Sequence, residues 1–137
     1  MGSTSYGSID NLTIGVLGLT YKAGTSTLRR SPALDVIRDL LEKGVNVKAY
    51  DPGASLTEIQ VQQQLLNFEL SAGPYETANN SDALVITTDW PEFTRIDYTQ
   101  IKSMMKRPVL IDTKNMLDGE QLHQLGFLYS GIGRGYK

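Results

Sequence analysis

A short apolar, β-branched run over residues 12–17 breaks at Gly18, and the next helix does not open until Pro32. A run of that kind suits a strand buried on both faces of a parallel sheet. Ser31 followed by Pro32 suits a helix cap and a first helical position, and Leu34, Val36, Ile37, Leu40 and Leu41 recur at helical spacing up to the stop at Gly44. Residues 45–50 then alternate apolar and polar side chains and close on Asp51-Pro52. This is a β-loop-α-β unit, so its two strands should be parallel neighbours joined by a right-handed crossover.

The same rhythm continues to the end. Helices are predicted over 56–66, 74–79, 99–105 and 119–125, and strands over 68–70, 83–87, 109–112 and 127–129. The expected fold is α/β: a three-layer, Rossmann-like, doubly wound and mostly parallel sheet of five or six strands. Ligands of such sheets lie outside the carboxyl ends of the strands, where residues 18–31, 51–52, 88–93 and 112–115 fall.

Composition narrows the function. A chain of 137 residues, 40% hydrophobic, fits one domain, read here as residues 9–137 after a small, polar leader or linker remnant over residues 1–8. No run approaches a membrane span, and an acidic balance with pI near 5.3 argues against a nucleic-acid surface. With no cysteine and one histidine, a thiolate metal site and a cysteine nucleophile are excluded, no metal site is expected, and a reducing, cytoplasmic setting is compatible.

Against the acidic whole, residues 18–31 carry Lys22, Arg29 and Arg30 and no acid. Strand-to-helix connections usually take about 2–6 residues, so a longer, basic, hydroxyl-rich one suggests an anion site. It is not the dinucleotide fingerprint, because Gly18 is followed by Leu19, Thr20, Tyr21 and Lys22 and the next glycine is Gly24. Nor is it a Gly-Lys-Ser/Thr phosphate loop. What remains is a side-chain clamp, in which Lys22 and an arginine meet phosphate and Tyr21 offers a flat face to a base or sugar. Arg29 is read as either a ligand contact or an ion pair shaping the loop, and Arg30 as solvated or paired with an acid elsewhere. Asp51 could touch a ribose but is read as a turn or cap. Trp90 could stack on a base but is read as packing over the sheet edge. His123 is read as an ordinary surface or half-buried side chain, and residues 131–135 as a glycine-rich tail with no helix after it.

Residues 14–52, with Gly-Leu-Thr-Tyr-Lys-Ala-Gly-Thr-Ser-Thr-Leu-Arg-Arg-Ser-Pro and then Val-Lys-Ala-Tyr-Asp-Pro, closely resemble the carboxy-terminal, UDP-binding domain of UDP-glucose/GDP-mannose dehydrogenases. Three blocks extend the match: residues 81–87 with Trp90 and Phe93, Asp112-Thr113-Lys114-Asn115, and residues 126–134. The resemblance implies a domain that binds the nucleotide of a UDP-sugar or GDP-sugar inside a larger, dimeric, NAD-dependent dehydrogenase of polysaccharide biosynthesis. NAD would be bound by an amino-terminal domain outside this chain, and no cofactor is expected here. Lys22 matches the family's substrate-binding lysine, Tyr21 stands where the family has Phe, and Lys114 replaces the arginine of its Asp-x-Arg-Asn block, losing that side chain's planar fork. Ser26 and Thr27 replace acids, and Arg30 a glutamate. The family's oxidation of a sugar alcohol to a carboxylate runs through a cysteine-bound intermediate, so this chain is expected to hold no catalytic residue and not to turn over alone. The other class of reading is a non-catalytic α/β nucleotide-binding or protein-interaction module on the same fold.

Overall fold

The computed structural model describes residues 11–131. Six strands, β1 (Thr13–Leu17), β2 (Asn46–Tyr50), β3 (Glu69–Leu70), β4 (Ala83–Ile86), β5 (Val109–Asp112) and β6 (Leu128–Gly131), form one sheet in the order β3-β2-β1-β4-β5-β6. Every pairing is parallel, so the expected "mostly parallel" sheet is wholly so. Five helices alternate with the strands: α1 (Pro32–Glu42), α2 (Leu56–Leu65), α3 (Pro74–Ala78), α4 (Tyr98–Met104) and α5 (Gly119–Leu125). None is long and apolar enough to cross a membrane.

The period-two alternation of the strands sorts the core into two layers. Val16, Val47 and Ala49 face α1 and α2, packing on Ala33, Leu34, Ile37 and Ile59. Leu17, Leu84, Ile86, Leu110 and Tyr129 face α3, α4 and α5, packing on Ala78, Ile101, Met105 and Leu122. Gly15 lets α3 press onto β1: a Cβ there would fall 2.7 Å from the Thr77 carbonyl oxygen. Helix starts follow the local chemistry the sequence carries. Ser31 Oγ accepts from Ala33 N with Pro32 next, Ser55 Oγ accepts from Glu58 N, and Asp97 and Asp118 cap α4 and α5. The strand order reverses between β1 and β4, which puts the loops after β1, β2, β4 and β5 on one edge of the sheet.

Candidate functional site

In a doubly wound domain the point of reversal usually opens a crevice for the ligand. Here it is shut. Thr87 Oγ1 donates to the carbonyls of Leu17 (3.2 Å) and Gly18 (2.7 Å), and Thr88 Oγ1 donates to the Thr20 carbonyl (3.2 Å). Gly18 sits at φ 113°, so close to the β4 loop that a Cβ would lie 2.3 Å from Thr88 Oγ1. Thr20 and Thr88 are both 0% exposed, so the two loops pack on each other directly past the strand ends.

A carboxylate ties these loops together. Asp51, just past β2, accepts through Oδ2 from Leu19 N (2.8 Å), Thr20 N (3.0 Å), Thr20 Oγ1 (2.9 Å) and Trp90 Nε1 (3.0 Å), and through Oδ1 from Gly53 N (2.7 Å). The Trp90 ring lies over Gly53, where a Cβ would come within 2.5 Å of it. Asp51 therefore has the turn role expected of it, and Trp90 packs instead of offering a free stacking face. The link between them joins residues far apart in the chain and was not read from the sequence.

Beyond Thr20 the first loop turns outward. Tyr21 N donates to the Thr27 carbonyl (3.0 Å), and Thr25 donates through N (3.3 Å) and Oγ1 (2.7 Å) to the Lys22 carbonyl, closing a small turn at the tip. Leu28 is buried beneath it, and Glu58 in the first turn of α2 accepts from Leu28 N (2.9 Å) and Thr27 Oγ1 (3.2 Å). Glu58 was missed as well. The Ser-x-x-Glu signal that marks it points to a capping box, yet its carboxylate braces the loop while Ser55 N donates to the Ser26 carbonyl. Held at both ends, the loop presents Tyr21, Lys22, Arg29 and Arg30 to solvent. Tyr21, Thr27, Arg29 and Arg30 line a recess of about 400 Å³.

Arg30 takes φ 60°, a left-handed conformation that costs a side-chain-bearing residue free energy. Arg30→Gly is therefore expected to stabilise the fold by about 1 kcal/mol, read as a higher urea midpoint at unchanged slope.

The loop after β5 is built on Asp112, which is 0% exposed. Its Oδ1 accepts from Lys114 N (3.0 Å), and its Oδ2 accepts from Met116 N (2.8 Å), Leu117 N (2.9 Å) and the Tyr129 hydroxyl (2.8 Å). Asn115 takes φ 54° at the apex. Lys114 is exposed on the same edge as Lys22, with β4 between the two strands that carry them, roughly 10 Å apart at two strand spacings. Tyr21, Lys22 and Arg29 thus share one loop and Lys114 flanks it, although only Tyr21 and Arg29 line the recess. The ion pairs among the described residues, Arg38–Asp35 and Arg107–Asp82, use none of these four cations: Lys22, Arg29, Arg30 and Lys114.

Other features lie elsewhere. A larger recess of about 700 Å³ opens at the opposite, amino edge of the sheet, by Thr13, Asn46, Lys48, Asn80 and Lys106, away from every candidate residue. His123 is exposed, edge-on to the Tyr129 ring at 6.4 Å. Among the described residues no group of His, Asp and Glu could hold a metal ion. Residues 1–8 and the glycine-rich ending past Gly131 lie outside the described residues.

Residues 15–119 match the model of the UDP-glucose/GDP-mannose dehydrogenase family, UDP binding domain. The UDP-glucose 6-dehydrogenase of Rickettsia bellii is 43% identical over 121 residues, 88% of this chain and 27% of that protein. UDP-glucose 6-dehydrogenase TuaD of Bacillus subtilis is 37% identical over 131 residues, 96% of this chain and 28% of that protein. This chain thus spans little more than a quarter of the length of either relative. Among solved structures, the UDP-D-ManNAc dehydrogenase of Pyrococcus horikoshii superposes with a TM-score of 0.72 at 32% identity, covering 90% of this chain and 26% of that one. An NDP-N-acetyl-D-galactosaminuronic acid dehydrogenase from Methanosarcina mazei gives 0.76 at 26% identity, covering 91% and 25%. The chain belongs to the UDP-glucose/GDP-mannose dehydrogenase family, and what it matches there is the UDP-binding domain.

Proposed function

We propose that residues 9–137 form the substrate-nucleotide domain of a cytoplasmic, dimeric, NAD-dependent nucleotide-sugar dehydrogenase, which oxidises the C6 hydroxyl of a UDP-hexose to a carboxylate. The observation that carries this reading is the row of unpaired cations on the carboxyl edge of the sheet, in a family whose domain is named for UDP. Lys22 and Arg29 meet the diphosphate, whose negative charge a positioned ammonium and guanidinium attract most strongly where water is partly excluded. Tyr21, 47% exposed, lays its ring against the base or the ribose. Lys114 reaches in from the β5 loop as a point charge on the far side of β4.

The switch point does not fit NAD. The tight Gly-x-Gly-x-x-Gly turn is absent from the loop after β1, whose start is packed against Thr87 and Thr88. This chain's residues are therefore assigned binding and orientation, and the two oxidations are assigned to the rest of the parent enzyme, which also supplies the thiol this chain lacks. GDP-mannose is the alternative substrate within the family.

Calorimetric titration of the chain with UDP, GDP and NAD tests the reading. UDP is expected to bind and NAD not to. Lys22→Ala is expected to weaken UDP by about 10- to 100-fold, the worth of one charge-assisted contact to phosphate. No binding of UDP or GDP at millimolar concentration would favour a protein-interaction module instead.

A further inference from the structure

Tyr21 and Lys22 leave the protein surface from a base, Leu19 and Thr20, whose backbone N–H groups are held from outside their own loop. Leu19 and Thr20 are each 0% exposed, and one residue later Tyr21 is 47% exposed, so the direction in which the two side chains emerge is set by the backbone at Leu19 and Thr20. Both of those backbone N–H groups donate to the same oxygen, Oδ2 of Asp51, as does the Thr20 hydroxyl. The indole of Trp90, from the β4 loop, donates to that oxygen too and reaches Thr20 Oγ1 at 3.2 Å. Three loops therefore converge on one carboxylate.

We infer that Asp51 is a positioning residue of the nucleotide site: its carboxylate, cross-braced by Trp90, fixes Leu19 and Thr20 and so points Tyr21 and Lys22 at the ligand. This deepens the proposed function and rests on its reading of Tyr21 and Lys22 as ligand contacts.

The chemistry requires an acid. Oδ2 serves N–H and O–H donors only, and Oδ1 serves Gly53 N. An amide at this position would satisfy one side and set its NH₂ against an N–H on the other. Asp51→Asn is thus close to isosteric yet unable to reproduce both sets of bonds. It keeps the packing while loosening the loop. Trp90→Phe removes the cross-brace together with the outer ring of the indole that lies over Gly53, and leaves the carboxylate in place.

The test compares wild type with Asp51→Asn, Asp51→Ala and Trp90→Phe in two measurements. The first is ligand-free. Trp90 is the single tryptophan, so its indole N–H gives one resonance, and amide exchange at Leu19 and Thr20 is compared with Val16 in the strand. Asp51→Asn is expected to shift the indole resonance and to speed exchange at Leu19 and Thr20 by on the order of tenfold or more, with Val16 unchanged. The second is UDP titration, with Lys22→Ala made in the wild-type and Asp51→Asn backgrounds. UDP affinity is expected to fall on the order of tenfold in Asp51→Asn, and Lys22→Ala is expected to lose far less in that background than in wild type, because the two act through one contact. If Asp51→Ala fails to fold, Asp51→Asn carries both measurements and Trp90→Phe carries the amide exchange and the titration.

Additive losses from Asp51→Asn and Lys22→Ala, or unchanged exchange at Leu19 and Thr20, would overturn the role given to Asp51 while leaving the nucleotide reading in place. A wild-type chain that binds no UDP would overturn the nucleotide reading and the aim ascribed to the loop with it.

Discussion

Gly18→Ala is expected to cost about 3–5 kcal/mol, enough to remove much of the margin of an ordinary domain. Two effects add at this position. A side chain at φ 113° is outside the conformations L-residues adopt readily, a strain of roughly 1–3 kcal/mol. The new methyl would also lie 2.3 Å from Thr88 Oγ1 and 2.7 Å from Thr88 N, so the β1 and β4 loops would have to part. Parting them stretches the Thr87 bond to the Gly18 carbonyl and the Thr88 bond to the Thr20 carbonyl. Gly24→Ala is the control: it too has positive φ, 86°, but its Cβ would meet nothing within 4 Å. It should cost only about 1 kcal/mol. Urea unfolding followed by circular dichroism measures both. Equal costs at the two glycines would mean that Thr88 does not pack against Gly18 as closely as the structure has it.

The contrast between those glycines also marks what can be read from sequence. Gly18 is legible as the end of a strand, because the apolar run stops there. That Thr88 presses on it is not legible, since the two residues are 70 positions apart and no local pattern links them. The elements themselves were local and came through: Ser31-Pro32 opens α1, Asp-Pro follows β2, and β1 and β2 pair in parallel as the β-loop-α-β unit requires. Boundaries moved where tertiary contacts decide them. Phe127 was expected in the last strand but serves as a buried anchor before it, its N–H donating to the Leu122 carbonyl, and β6 runs Leu128–Gly131 instead. β3 keeps only Glu69–Leu70, because Phe68 likewise packs into the core before the pairing starts. Helix α2 shows little amphipathic pattern, with Leu56, Val61 and Leu65 all exposed, and is held at its start by Ser55.

The candidate site divides the same way. Its cations stand in a basic loop that a scan of charge finds at once. The acids that shape that edge, Asp51, Glu58 and Asp112, are the part that sequence reasoning left structural or passed over. Each reaches across the chain: Asp51 to Trp90, Glu58 to Leu28, Asp112 to Tyr129. A short acid that satisfies backbone N–H groups of a distant loop carries no composition signal of its own. Loop shape was therefore less legible than loop charge.

Asp112→Ala tests the second of those loops and is expected to cost about 3–5 kcal/mol. The carboxylate is wholly buried, and its loss removes the acceptor shared by four donors, Lys114 N, Met116 N, Leu117 N and the Tyr129 hydroxyl, of which the hydroxyl also reaches the Leu117 carbonyl at 3.4 Å. An unpaired buried donor costs about 1–3 kcal/mol, and water entering from the exposed Lys114 side recovers only part of that sum. A graded series separates this cause from lost packing. Tyr129→Phe removes a single donor and should cost about 1 kcal/mol, measured by the same urea unfolding. Asp112→Asn keeps one accepting oxygen and should fall between the two, because its NH₂ group would face an N–H on one side or the other. Asn115, held at φ 54° directly after Lys114, depends on that turn keeping its shape. Once the template is gone the turn relaxes, and Lys114→Ala in the Asp112→Asn background should then change UDP affinity less than it does in wild type. A cost for Asp112→Ala no greater than that of Tyr129→Phe would show that backbone and solvent shape the β5 loop without the acid, leaving Lys114 an unguided surface charge.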